Sequence, residues 1–214
     1  MQIIPAINSV SFEEILEKIK LVEPYSEWVH LDVADGTFTK NTLWHNASDL
    51  ITLDTKLSIE AHLMIDDAEK RIDEWLVPGV ARIIFHLSGS KDPSFVVAKC
   101  KKQKVEVGVS VAPDESLAQA LAYKDKVNFF QILGVWPGLP GQKTLEETYE
   151  RIKEVRKFCP SCIIEVDGGM NRETIPRATV AGADIIVAAS AIFDSAKHVR
   201  EAIKELQNYG ASYR

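Results

Sequence analysis

This sequence predicts an α/β protein built as a single (β/α)8 TIM barrel spanning residues 1–214, and three observations predict it. Strand-like and helix-like runs alternate eight times, with no low-complexity tract or composition shift between them. The first strand-like run lacks the G-x-G-x-x-G turn of an open dinucleotide-binding sheet, and a doubly wound sheet, the main rival, more often has five to seven strands. Histidines and aspartates stand at the ends of several strand-like runs, where a barrel gathers its chemistry.

Residues 3–8 read as the first strand and 11–22 as its helix, with Ser11 as N-cap and Glu14 completing a capping box. The second strand, 28–33, leads through an irregular stretch, 35–45, to a short helix around 47–53. The remaining strand and helix pairs fall at 57–64 and 66–76, 81–86 and 93–102, and 105–111 and 115–122. They continue at 127–134 and 145–158, 163–167 and 172–181, and 184–188 and 196–209.

At 46% apolar and 26% charged residues the composition is that of an ordinary water-soluble globule. A formal charge of −6 argues against a nucleic-acid-binding surface or a binder of anionic membranes. An anionic small molecule stays open, because backbone N–H groups bind phosphate without lysine. No apolar run approaches the roughly 18 residues of a membrane span. Met1 leads straight into Ile3-Ile4-Pro5-Ala6-Ile7, which predicts no signal peptide and a cytoplasmic location. Cys100, Cys159 and Cys162 are too few for a disulfide framework. Cys159-Pro-Ser-Cys162 closes a helix where a redox motif would open one, so it reads as chance spacing, with thiols near enough to oxidise.

The chemistry concentrates in His30-Leu31-Asp32, Ala61-His62 and Asp167-Gly168-Gly169. Residues i and i+2 of a strand share a face, so His30 and Asp32 point the same way. Two imidazoles and two carboxylates converging in one barrel can hold a divalent metal and still leave a carboxylate to move protons. Such a mixed set suits Zn, Fe(II), Mn or Co better than Mg or Ca. The pattern points to an enzyme acting next to a carbonyl. Glu60 and Glu165, two residues before His62 and Asp167, point into the barrel, either to orient imidazoles or to satisfy interior polar groups. His45 and His86 read as hydrogen-bonded loop or strand-end residues, and His198 as a solvent-facing helix residue. Asp35-Gly36 reads as a turn, and Asp167-Gly168-Gly169 is also readable as one.

His30-Leu-Asp32-Val-Ala-Asp35-Gly36-Thr-Phe38, His62-Leu63-Met64, Val135-Trp-Pro137-Gly138-Leu-Pro-Gly141-Gln142, Glu165-Val-Asp167-Gly168-Gly169 and Ser190-Ala191-Ile192-Phe193, with Pro5-Ala6-Ile7 at the start, together resemble the ribulose-phosphate 3-epimerase family. The resemblance runs in family order over nearly the whole chain. It implies a barrel that forms a homodimer or higher homo-oligomer, with a divalent metal held by His30, Asp32, His62 and Asp167. It implies Asp32 and Asp167 as the acid/base pair that interconverts D-ribulose 5-phosphate and D-xylulose 5-phosphate. By the same resemblance, His62, Met64, Gly138, Gly141, Gly168, Gly169, Ala189 and Ser190 contact the sugar phosphate. Inversion at C3 needs one base on each face of a planar enediolate, so two aspartates suffice without a redox cofactor or Schiff-base lysine.

The departures from the family pattern cluster around the substrate. Ala6 stands for a serine, Ala34 and Leu133 for methionines, and Trp136 for a small or acidic polar residue. Leu139-Pro140 replaces Phe-Gly, Trp44-His45 is bulkier than usual, and Ala188-Ala189 replaces a Gly-rich approach to Ser190. Pro140 has no N–H to offer a phosphate. Two rivals are a related decarboxylase or aldolase, disfavoured because Asp32-Val-Ala-Asp35 lacks the lysine of Asp-x-Lys-x-x-Asp, and a non-catalytic sugar-phosphate-binding homologue.

Overall fold

The computed structural model describes residues 1–138 and 141–212. Its eight strands are β1 (Gln2–Ile7), β2 (Trp28–Ala34), β3 (Ser58–Met64), β4 (Val80–His86), β5 (Glu106–Val111), β6 (Phe129–Leu133), β7 (Ile163–Asp167) and β8 (Ile185–Ala188). All neighbours pair in parallel, and β8 returns to β1 to close the barrel. The surrounding helices are α1 (Phe12–Val22), α2 (Ala68–Trp75), α3 (Pro93–Lys102), α4 (Leu117–Leu121), α5 (Glu147–Phe158), α6 (Thr174–Ala181), α7 (Ser190–Phe193) and α8 (Val199–Ala211). Among the described residues no helix is long and apolar enough to cross a membrane.

Alternation along each strand sorts the side chains. Val29, Leu31 and Val33 of β2 join the large core beneath the helices, while His30 and Asp32 take the other face, inside the barrel. Ile4, Ile84, Phe129 and Ile185 form a separate apolar cluster inside the barrel, flanked by Trp28 and Ile163. The Arg82 guanidinium lies over the rings of Trp28, at 4.3 Å, and Phe129, at 4.2 Å. The barrel therefore has an apolar floor under a polar middle.

Several local expectations need correction. Ser11 does cap α1, accepting from the Glu14 N–H at 3.2 Å. The reciprocal half of the capping box is missing, because the Glu14 carboxylate takes the Ser9 hydroxyl at 2.5 Å and the Ser11 N–H donates to Ser9 Oγ. The helix expected at 47–53 is a 3-10 helix, Ala47–Thr52. The last helix starts at Val199, and His198 is its exposed N-cap, accepting from the Arg200 N–H. Trp44 does not crowd the pocket. It is buried against Phe12 and Trp75, and its indole donates to Asp49 at 2.8 Å. The thiols of Cys159 and Cys162 are joined in a disulfide. With only Pro160 and Ser161 between its ends, that link closes too short a loop to remove much chain entropy.

Candidate active site

Register brings the candidate residues together. In the β2–β3 ladder His30 pairs with Glu60 and Asp32 with His62, so four polar side chains occupy two adjacent rungs of the barrel interior. Asp167 closes β7 and completes the group. Ligating atoms of His30, Asp32, His62 and Asp167 all lie within 4.8 Å of one another. His30 Nε2 is 3.2 Å and His62 Nδ1 2.9 Å from the same oxygen, Asp32 Oδ1. The other Asp32 oxygen accepts from the Asn8 amide at 2.5 Å.

Interior partners orient these groups. Glu60 Oε1 lies 2.6 Å from His30 Nδ1, and the other Glu60 oxygen accepts from Arg82. Glu165 behaves differently from Glu60: it accepts from the Gln131 amide at 3.0 Å and stays 4.0 Å from His30 Nδ1. Glu60 thus orients an imidazole, whereas Glu165 belongs to the polar filling of the barrel.

The two aspartates sit in opposed electrostatic settings. Burial would raise the Asp32 carboxyl, but hydrogen bonds and charge from His30 and His62 override it and hold the group far below the ordinary carboxylate range. Burial and the Asp32 charge together push Asp167 up to about 6. Burial works against a charged His30, yet Asp32 and Glu60 draw its pKa well above the ordinary value.

A donor set of two imidazole nitrogens and two carboxylates fits a divalent cation. With Glu60 accepting from Nδ1–H of a neutral His30, the Nε2 lone pair faces Asp32. The arrangement then calls for a positive charge at its centre, and a proton or a metal ion satisfies that demand.

Above the cluster opens a cavity of about 330 Å³, large enough for a small sugar phosphate. His62, Met64, Gly138, Gly141, Gly168, Gly169, Ala189 and Ser190 all line it, together with Asp32 and Asp167. His30 lies behind, fully buried. Gly168 and Gly169 take φ of +106° and +69°, and a Cβ there would lie 2.6 Å from Val135 and 2.5 Å from Thr144. The turn needs glycine in both respects, and this also keeps side chains away from Asp167. Leu133 and Trp136 line the cavity, and Trp136 is 49% exposed. Ala34 is buried away from it. Pro140 and Leu139 lie outside the described residues.

Sequence reasoning did not single out Asn8, Lys18 or Glu115, and it left His86 as a bystander. Asn8 follows Ala6 by two positions and so shares its inward face, a signal available in the sequence. Lys18, from α1, lines the cavity while paired to Glu14 at 2.6 Å. His86 Nε2 is 3.0 Å from His62 Nε2, and Glu115, which lines no part of this cavity, is 2.9 Å from His86 Nδ1.

Residues 2–193 match the model of the ribulose-phosphate 3 epimerase family. A ribulose-phosphate 3-epimerase of Chlamydia pneumoniae is 33% identical over 187 residues, covering 84% of this chain and 82% of its own. The cytoplasmic isoform of ribulose-phosphate 3-epimerase from Oryza sativa subsp. japonica is 31% identical, covering 92% of this chain and 89% of its own. Among solved structures, a 3-hexulose-6-phosphate synthase from Salmonella typhimurium superposes with a TM-score of 0.76 over the full length of both chains, at 13% identity, a likeness of fold alone. The chain belongs to the ribulose-phosphate 3-epimerase family, and it is an isomerase-class enzyme acting on carbohydrates.

Proposed function

We propose that this protein is a metal-dependent 3-epimerase of a ketose phosphate, D-ribulose 5-phosphate to D-xylulose 5-phosphate. The observation that carries the reading is the pair of aspartates on β2 and β7 facing one cavity, with their carboxylates gathered against the imidazoles of His30 and His62. Two carboxylates on separate strands of one barrel can address opposite faces of a planar enediolate.

Asp32, ionised, takes the proton from C3, and the electron pair spreads onto the C2 carbonyl to form an enediolate. Asp167, protonated, returns a proton to C3 from the opposite face, which inverts the carbon. The cycle leaves Asp32 protonated and Asp167 ionised, and the reverse reaction uses them in the opposite roles. Asn8 anchors one Asp32 oxygen and so restricts which oxygen receives the proton. A divalent ion held by His30, Asp32, His62 and Asp167 would supply Lewis-acid stabilisation of the charge gathering next to C3. Met64 and Leu133 present an apolar wall that limits water at the reacting carbon. Gly138, Gly141, Gly168, Gly169, Ala189 and Ser190 hold the rest of the substrate, with the phosphate toward the loops after β7 and β8. The family relationship supports a homo-oligomer, and the name of the rice relative supports a cytoplasmic location.

The test is solvent-deuterium incorporation at C3 of ribulose 5-phosphate, beside other ketose phosphates and free ketoses. Exchange with ribulose 5-phosphate at the highest kcat/KM is expected. Faster turnover of another ketose would replace the substrate, and no exchange with any of them would favour a non-catalytic sugar-phosphate-binding protein.

A further inference from the structure

Glu115 lies outside the four-residue cluster, on the segment between β5 and α4, yet an unbroken set of hydrogen bonds joins it to His62. Its Oε2 is 2.9 Å from His86 Nδ1, and His86 Nε2 is 3.0 Å from His62 Nε2. Both imidazoles are buried, each 1% exposed, and the His86 ring is packed by Phe38 with centroids 4.5 Å apart. Glu115 is itself fixed. Its carboxylate accepts from the Ala112 N–H at 2.7 Å and from Ser88, while Arg151 donates to the carbonyls of Ala112, Pro113 and Glu115.

The direction of this relay follows from what each group can do. A carboxylate accepts and does not donate, so His86 Nδ1 carries the hydrogen. A neutral imidazole then has an acceptor at Nε2, and the donor facing it is His62 Nε2–H. In that tautomer the lone pair of His62 sits on Nδ1, the atom turned toward Asp32 Oδ1. We propose that Glu115 and His86 are positioning residues that hold His62 in its Nε2–H tautomer and so present the Nδ1 lone pair to the divalent cation. The inference rests on the metal-dependent reading given above. It makes the two imidazoles equivalent: each is oriented by a carboxylate on its far side, Glu60 directly for His30 and Glu115 through His86 for His62.

Zn²⁺ affinity of the full chain, measured by competition with a chromophoric chelator, tests the relay. His86→Phe, which keeps an aromatic ring against Phe38, and Glu115→Ala should each weaken binding about 10–100-fold. Glu115→Gln, whose carbonyl still accepts from His86, should stay close to the parent. In the metal-free protein, where no cation sets the tautomer, ¹⁵N NMR should find a hydrogen on His62 Nε2. Parent-like affinity in His86→Phe, a Glu115→Gln loss as large as that of Glu115→Ala, or a metal-free His62 with no hydrogen on Nε2 would each overturn the relay while leaving the metal reading intact. A parent protein that binds no Zn²⁺ would instead defeat the metal reading, and the relay with it. Should Glu115→Ala fail to fold after losing the Ser88 and Ala112 contacts, His86→Phe and the NMR result decide.

Discussion

The strand-borne side of the cavity and the loop-borne side are held by different physics. His30, Asp32 and His62 sit on paired rungs of two neighbouring strands, buried, with distances of 2.5–3.2 Å to Asn8, Glu60, His86 and one another. Opposite them, the segment after β6 carries Trp136, half exposed, and Gly138 at φ +102°. The Trp136 carbonyl accepts from the Gln142 amide at 2.7 Å. Strand register fixes reacting groups to fractions of an ångström, whereas a loop adapts its side chains to a different ligand without disturbing them. The departure from the family pattern at position 136 falls on the adaptable side, whereas Leu133, which ends β6 in register with Asp167, and the four candidate ligands fall on the rigid side.

The largest expected effect breaks the rigid side. Asp32→Asn and Asp167→Asn should each lower C3 exchange by more than the roughly 100- to 10,000-fold of losing an acid or base alone, because each loss also removes a proposed metal ligand. Near-parental deuterium incorporation in either variant would remove that aspartate from the chemistry. Next comes Glu60→Ala, which strips the far-side partner from His30 and weakens Arg82 pairing in the interior. Metal affinity should fall about 10–100-fold, and denaturant unfolding should show a loss of about 3 kcal/mol. An unchanged affinity would mean that His30 is positioned without Glu60.

A smaller effect reads the electrostatics of Asp167. Its carboxyl, raised to about 6, keeps in the native state a proton that the unfolded chain releases near its ordinary value of about 4. The stability this contributes is complete below about pH 4 and is lost as pH rises through about 6. Metal-free Asp167→Asn should therefore gain on the parent by about 1–2 kcal/mol between pH 4 and 7. A difference in unfolding free energy that stays flat with pH would show that the carboxyl is not raised. Smallest of all is the loop side: Trp136→Ala should change KM by about tenfold or less and leave the exchange rate at saturation near the parent's. A collapse of kcat would move Trp136 into the rigid half.

Much of this was legible in the linear chain. Eight alternating runs, together with strand ends bearing His30-Leu-Asp32, His62 and Asp167, point to a closed barrel with its polar group on one face, because period-two geometry assigns each side chain a direction. The family fragments appear in order along the chain for the same reason: they close successive strands. Boundaries were less accurate near α7 and α8, where a four-residue helix has too little periodicity to register.

By itself, then, the sequence determined the number of strands, the inward direction of His30, Asp32, Glu60, His62 and Glu165, and the chemistry those residue types can perform. Tertiary structure alone decided which groups meet across unconnected segments. Glu60 reaches an imidazole whereas Glu165 meets Gln131, Trp44 goes to the core and not to the pocket, and His86 joins Glu115 to His62. These outcomes depend on strand register, barrel closure and loop path, which are set by packing of the whole chain and leave no trace in the spacing of any one motif.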